Sequence, residues 1–260
     1  MTRIIAVANE KGGVAKTTTA ISLGGALVEL EQDVLLVDLD PQANLSLALG
    51  FPPHKVRRSI ADVIINGATP LSISRETAVP GLDVLPSNAE MGLAERFLPI
   101  RQDYQHILKN ALKDIQLYDT IILDCPPSMG VITLNALIAA DLLVIPTQAE
   151  YLSAYALRHV MATIRKVRAE DNPNLTYRIL ITMLDQRIGS HKALSKQLHN
   201  TFGEAVYQTT IQVDSKLRES TIAGLPITHY VSRSRSALQY RALAQELTQY
   251  VKTETVTQQA

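Results

Sequence analysis

One cysteine, Cys125, stands in 260 residues. A single thiol excludes an intrachain disulfide and any multi-cysteine zinc or iron–sulfur site built within one chain. Net charge is absent as well, since 25 Lys and Arg balance 25 Asp and Glu. Taken whole, that neutrality argues against a nucleic-acid binder. The opening apolar run over residues 1–7 breaks at Asn9-Glu10, too short for a signal h-region or a membrane span. The sequence reads as a soluble, cytoplasmic protein. No Pro/Gly/Ser-rich linker and no internal repeat divides it, so residues 1–260 are expected to form one domain with a frayed polar tail over 253–260. The 6 histidines show no metal-ligand spacing.

The neutral average conceals an asymmetry. Residues 1–150 hold 11 basic and 17 acidic side chains, whereas residues 187–241 hold 8 basic and 3 acidic ones. A split of this kind can mark a basic face on a neutral chain.

Short, β-branched apolar runs alternate with helical patterns. The strands expected are residues 3–8, 33–38, 82–86, 120–124, 142–146, 178–183 and 205–210. Several are continuously apolar, as suits parallel strands buried on both faces. Helices are expected over 16–31, 104–116, 133–139, 154–169, 191–202 and 234–251. The alternation points to an α/β fold, a doubly wound and mostly parallel sheet with helices on both faces.

The first strand runs into Glu10-Lys11-Gly12-Gly13-Val14-Ala15-Lys16-Thr17-Thr18, and a helix follows. Glycines let the backbone bend so that successive N–H groups face an anion, and the helix N-terminus adds its dipole. Lys16 can neutralise β/γ-phosphate oxygens, and the Thr17 hydroxyl suits a Mg²⁺ ligand. The common pattern G-x-x-x-x-G-K-[ST] fails at both glycines, which fall on Glu10 and Ala15. An alanine at 15 fits without strain only where φ is negative. Two further strands deliver carboxylates at their carboxyl ends: Asp38-Leu39-Asp40-Pro41-Gln42 and Asp124-Cys125-Pro126-Pro127. A phosphate loop with three such aspartates matches the needs of phosphoryl transfer, which are a metal clamp and an oriented water.

These segments together resemble the ParA/MinD group of deviant Walker A ATPases, in particular the small ParA/Soj-type partition ATPases. The loop resembles K-G-G-x-G-K-[ST], residues 38–42 resemble D-x-D-P-Q, and residues 121–127 resemble the Walker B run h-h-h-D-x-P-P. The resemblance implies ATP and Mg²⁺ as cofactors, with the nucleotide held by Lys11, Gly12, Gly13, Val14, Ala15, Lys16, Thr17 and Thr18. It implies a homodimer closing on ATP, in which Lys11 reaches the partner's phosphates. The catalytic set it implies is Lys11, Lys16 and Asp40, with Asp40 orienting water. Thr17, Asp40 and, through water, Asp124 would serve the metal. Cys125 falls on the variable position and reads as a buried filler. The family's base contacts fall on Gln212 and Asp214, where the usual residues are Pro and Asn. Its DNA contacts fall on Arg187 and Lys216, with Arg218, Arg233 and Arg235 nearby.

The implied activity is weak, Mg-dependent ATP hydrolysis stimulated by a ParB-like or small adaptor protein. The dimer would bind nucleoid DNA non-specifically until hydrolysis releases it. The tail after residue 251, with one lysine and little apolar surface, implies no membrane docking. The alternative is an assembly or positioning ATPase of the same superfamily that does not bind DNA.

Overall fold

A computed structural model describes residues 2–259, with backbone alone for 151–155 and 251–259. The tail expected to fray, 253–260, continues the last helix, Arg235–Gln259, as far as residue 259, and residue 260 lies outside the described residues. Seven strands form one sheet: β1 (Arg3–Val7), β2 (Val34–Asp38), β3 (Arg75–Glu76), β4 (Leu82–Leu85), β5 (Thr120–Asp124), β6 (Leu142–Gln148) and β7 (Thr176–Thr182), in the order β3-β4-β2-β5-β1-β6-β7. All pairings are parallel except β3 with β4. The expected mostly parallel, doubly wound sheet is therefore what forms.

The central strands are apolar through their middles, with polar residues such as Asp38, Thr120 and Asp124 at their ends, because both of their faces are covered. Ala6, Leu35, Val37, Ile121, Leu123 and Ile145 face one core, shared with α3 (Ile60–Asn66), α4 (Met91–Phe97), α5 (Ile107–Leu112), α6 (Val131–Ala139), α7 (Tyr151–Glu170) and α8 (Gly189–Phe202). Their neighbours Ile5, Val7, Leu36, Ile122 and Val144 face the other, under α1 (Lys16–Val28), α2 (Asn44–Ala48), α10 (Ile227–Tyr230) and α11 (Arg235–Gln259). The period of two in the sheet sorts one continuous apolar run into two cores. No helix among the described residues is long and apolar enough to cross a membrane.

One expected strand does not form. Residues 205–210 make only an isolated bridge, Val206 to Ile179, after a 3-10 turn at Gly203–Ala205. The cause is a competing acceptor. The Glu246 carboxylate on α11 takes the backbone N–H groups of Gln208 and Thr209 at 2.7 and 3.0 Å. The ladder stops there, although Tyr207 and Ile211 still donate to the carbonyls of Ile179 and Ile181. Sequence periodicity also passed over β3 and the short helices α2, α3, α4, α9 (Lys216–Ile222) and α10.

Helix α1 approaches its cover closely because Gly25 has no side chain. A Cβ there would lie 2.4 Å from Pro226 Cβ and 2.9 Å from Thr228 Oγ1. Proline and the start of α10 cannot retreat freely, so Gly25→Ala is expected to cost about 1–3 kcal/mol. Thermal unfolding of the purified variant checks this, with the midpoint lowered by several degrees.

Candidate functional site

In open α/β sheets the ligand crevice lies outside the carboxyl ends of the strands, where connections diverge to either side. Here that point is the end of β1, flanked by β5 and β6. The loop over residues 9–15 fills it. Asn9 anchors the loop: its amide donates to the Pro146 carbonyl at 2.8 Å and its carbonyl accepts from Lys11 N–H at 3.1 Å. From β7, Thr182 Oγ1 donates to the Val14 carbonyl at 3.1 Å. Gly13 takes φ +74°.

Ala15 sits at φ 67°, ψ 35° immediately before α1. The left-handed region is the one in which an L-residue is strained. The condition for an unstrained alanine is therefore not met, and the loop holds the geometry in spite of Cβ. Met183 (φ 52°) and Ala43 (φ 52°) share the feature. All three lie at the carboxyl edge of the sheet, where strain is commonly stored at functional sites. Ala15→Gly relieves about 1–2 kcal/mol of strain and concedes somewhat less in unfolded-chain entropy. The nucleotide-free variant should gain about 0.5–1 kcal/mol by denaturant unfolding.

Lys16 opens α1 and is buried, with Nζ donating to the Lys11 carbonyl at 3.2 Å. Burial lowers its pKa, opposed by the nearby Asp124, Cys125 and Asp40. Thr17 Oγ1 donates to Asp124 Oδ2 at 2.7 Å. Asp124 is fully buried, and its second oxygen, Oδ1, has no hydrogen-bond partner. An orphaned carboxylate oxygen beside a threonine hydroxyl is the donor set that a hydrated Mg²⁺ needs, so these residues fit the metal. Burial, reinforced by Asp38, raises the Asp124 pKa well above the ordinary carboxylate value.

Asp38 lies opposite Asp124 in the β2–β5 register and is also fully buried. Its Oδ2 accepts from Ser46 N–H at 2.8 Å and Ser46 Oγ at 2.6 Å, and its Oδ1 accepts from Asp40 N–H at 3.2 Å. Ser46 Oγ also accepts from Ser87 N–H at 2.8 Å, and Ser87 Oγ donates to the Asp40 carbonyl at 2.8 Å. The Asp40 carboxylate is buried near Lys16, with Oδ1 accepting from Gln42 N–H at 2.8 Å. Asp38, Ser46 and Ser87 thus hold Asp40 in place, a support that the sequence motif does not reveal.

Burial pushes the Asp38 carboxyl up to about 6. A raised carboxyl pKa means that the folded state holds the proton more tightly than the unfolded chain. This contribution to stability is complete below the unfolded value near 3.8 and is lost as pH rises through about 6. In metal-free protein, Asp38→Asn should remove the part of the stability loss between pH 4 and 6 that Asp38 causes, as measured by urea midpoints across that range.

Lys11 does not point away from its own chain. Its Nζ contacts Gln148 Oε1 and Glu150 Oε2, each at 2.8 Å. These two partners at the end of β6 went unrecognised in the sequence, because neither belongs to a motif read there.

Beside the loop opens a cleft of about 400 Å³ lined by Gly13, Ala15, Thr18, Met183, Gln212 and Asp214, with Arg218 and others. The expected base contacts Gln212 and Asp214 are therefore next to the phosphate loop. The Asp214 carboxylate is already engaged, accepting from Lys216 N–H at 3.0 Å and Ser236 Oγ at 2.8 Å. A second cleft, of about 440 Å³, is lined by Asp185, Arg187, Gln212, Val213 and Arg235, among others. Of the expected DNA contacts, Arg187 and Arg235 meet there, and Lys216 and Arg218 lie on adjoining α9. Arg233 is exposed. Two of these cations are paired in place. Arg187 makes a bidentate contact with Asp185 at 3.0 and 2.7 Å, and Lys216 Nζ lies 2.7 Å from Glu219. Cys125 is buried, and burial pushes its thiol pKa up, consistent with a packing role.

A family model described as an AAA domain matches residues 2–177. The chain is 39% identical over 249 residues to the sporulation initiation inhibitor protein Soj of Bacillus subtilis, covering 95% of this chain and 98% of that one. The chain belongs to the ParA/Soj family of P-loop ATPases. It is 36% identical to the chromosome partitioning protein ParA of Caulobacter vibrioides, over 94% of this chain and 93% of that protein. The fold also superposes on a structure titled cobyrinic acid a,c-diamide synthase of Mycobacterium smegmatis, bound to an ATP analog and magnesium. The TM-score is 0.88 at 35% identity, covering 98% and 97% of the two chains.

Proposed function

We propose that this ParA/Soj-family chain is a partition or cargo-positioning ATPase whose grip on non-specific DNA is set by its nucleotide. One observation carries the reading. Gln212 and Val213 form a shared wall, lining both the cleft beside the phosphate loop and the cleft holding Arg187 and Arg235. A nucleotide pressing on that wall acts on both faces at once.

Residues 11–18 would cradle ATP, and Thr17 and, through water, Asp124 would hold a Mg²⁺, which would supply charge neutralisation at the phosphates. Lys16, low in pKa through burial but close to the carboxyls of Asp124 and Asp40, offers a cation at the phosphates. Asp40, held by the Asp38–Ser46–Ser87 relay, orients the attacking water. Gln212 and Asp214 edge the base. In the single chain Lys11 rests on Gln148 and Glu150. On dimerisation it exchanges these for the partner's phosphates, so the same carboxylate that stabilises the separate chain must be given up.

The DNA face follows similar logic. Exposed pairs such as Arg187–Asp185 are worth little, so a phosphate can replace the carboxylate. One chain offers few contacts, and two aligned chains offer twice as many, which raises affinity steeply and makes it salt-sensitive. A ParB-like or adaptor protein accelerating hydrolysis would dissolve the dimer. On this reading the protein works in the cytoplasm, on the nucleoid.

Fluorescence anisotropy with a labelled duplex at low salt tests the reading. Binding is expected with ATP, not with ADP or without nucleotide, and Asp40→Ala should stay bound where the wild type releases. Binding that ignores nucleotide overturns the switch. Hydrolysis without DNA binding in any state establishes the alternative, a positioning ATPase that does not hold DNA.

A further inference from the structure

A second basic cleft lies at the opposite end of the sheet from Arg187. About 330 Å³ in volume, it is walled by Gly50, Phe51, Pro52, Val56 and Pro86 and rimmed by Lys55, Arg57, Arg58 and Arg75. The four cations are drawn from the half of the chain in which acidic residues outnumber basic ones by 17 to 11, and no carboxylate lines the cleft. The charge asymmetry read from the sequence concealed it.

All four cations are exposed. Arg58 donates to Ser72 Oγ at 3.2 Å and Arg75 to the Ser74 carbonyl at 3.2 Å, both neutral acceptors. The side chains of Lys55 and Arg57 have neither a hydrogen bond nor an ion pair among the described residues. This contrasts with Arg187 and Lys216, each held by a carboxylate of its own chain. Four like charges around one opening repel one another in the absence of a counter-ion, so their clustering does nothing for the fold.

We infer that this cleft is a second contact for nucleic-acid backbone phosphates. The open rim favours this over a small-molecule site. Compact ligands are held by a few fixed polar groups in an enclosed pocket, whereas these cations are exposed to solvent and, among the described residues, unpaired with any carboxylate, which suits contacts driven by counter-ion release. The floor of Phe51, two prolines and Val56 offers no hydrogen-bonding side chain to read a base, so the contact is sequence-neutral. Its position matters. The cleft lies at the carboxyl ends of the strands near β4, and β7 is five strand spacings away across the sheet, about 24 Å. The two basic surfaces therefore sit on either side of the phosphate loop. Gly50 follows α2, whose Ser46 bonds to Asp38 and Ser87, so the cleft is built on the same segment that holds Asp40.

This inference rests on the DNA-binding reading above, and the test separates the two. The ATP-bound dimer of the wild type and of Lys55→Ala/Arg57→Ala is titrated with duplex at several salt concentrations. The double variant should bind ATP as the wild type does and be equally or more stable to heat. Its plot of log affinity against log salt should be shallower by about 2 per chain engaged, close to 0.9 for each lost phosphate contact, and its affinity at low salt should fall at least tenfold. Arg57→Lys should keep the wild-type slope, because a phosphate needs the charge and not the planar fork. Wild-type binding with an unchanged slope in the double variant overturns the second contact and leaves the first reading standing. No DNA binding by the wild type in any nucleotide state overturns both.

Discussion

The hydrogen bond from Thr17 to Asp124, 2.7 Å long, joins the first turn of α1 to the end of β5. It satisfies one oxygen of a carboxylate that is otherwise sealed in the interior, and the second oxygen stays without a partner. Burying a charge in an apolar sheet is costly unless something compensates it. Asp38 repeats the problem on the adjoining strand, directly opposite in register. Burial disfavours the ionisation of both carboxyls, Asp38 adds to the effect at Asp124, and both are shifted toward the protonated form. A divalent cation at this edge would remove that conflict by bringing charge of the opposite sign to the oxygen without a partner. The apolar strands can afford such carboxylates only at their carboxyl ends, where the sheet opens onto the phosphate loop. That one constraint explains why the chemistry collects at a single edge.

What happens at this edge reaches the rest of the molecule through short polar links. Asp38 holds Ser46, Ser46 holds Ser87, and Ser87 holds the backbone of Asp40. None of these links crosses solvent, because Ser46, Ser87 and Asp38 are fully buried. A change of charge near Asp38 therefore acts on the segment carrying Asp40 without any large movement of the core. Left-handed Ala15 and Ala43 introduce the helices on either side of this network. Their strain persists because the surrounding bonds over-determine the backbone.

The central strands were legible from the sequence because each is a short, mostly apolar run, and two of them end in aspartates. The phosphate loop and the two acidic strand ends were legible because each is contiguous. What escaped was non-local. The 205–210 run has the composition of a strand, yet Glu246, nearly forty residues on, takes its backbone donors. Gln148 and Glu150 became relevant only when β6 paired beside β1 and brought them to Lys11. Ala15 departs from the glycine pattern visibly, but its sign of φ is fixed by tertiary pins from Pro146 and Thr182 on the loop. Short helices such as α2 and α10, of 5 and 4 residues, are set by packing, because so few residues carry no period to detect.

Charge shows the same limit most clearly, and it also bears on how the molecule works. A net of zero says nothing about how charges are grouped. Within the basic region, Arg187 and Lys216 are each neutralised by a carboxylate two or three residues away. Such exposed pairs contribute little stability, so exchanging the carboxylate for a phosphate changes the energy of one contact only slightly. The balance is then decided by how many contacts are made together and by the counter-ions they release. A surface of near-neutral, exchangeable pairs binds poorly as one copy and well as several aligned copies. That is the electrostatic condition which the proposed DNA grip requires, because there an assembly step, not the strength of any one residue, would do the switching.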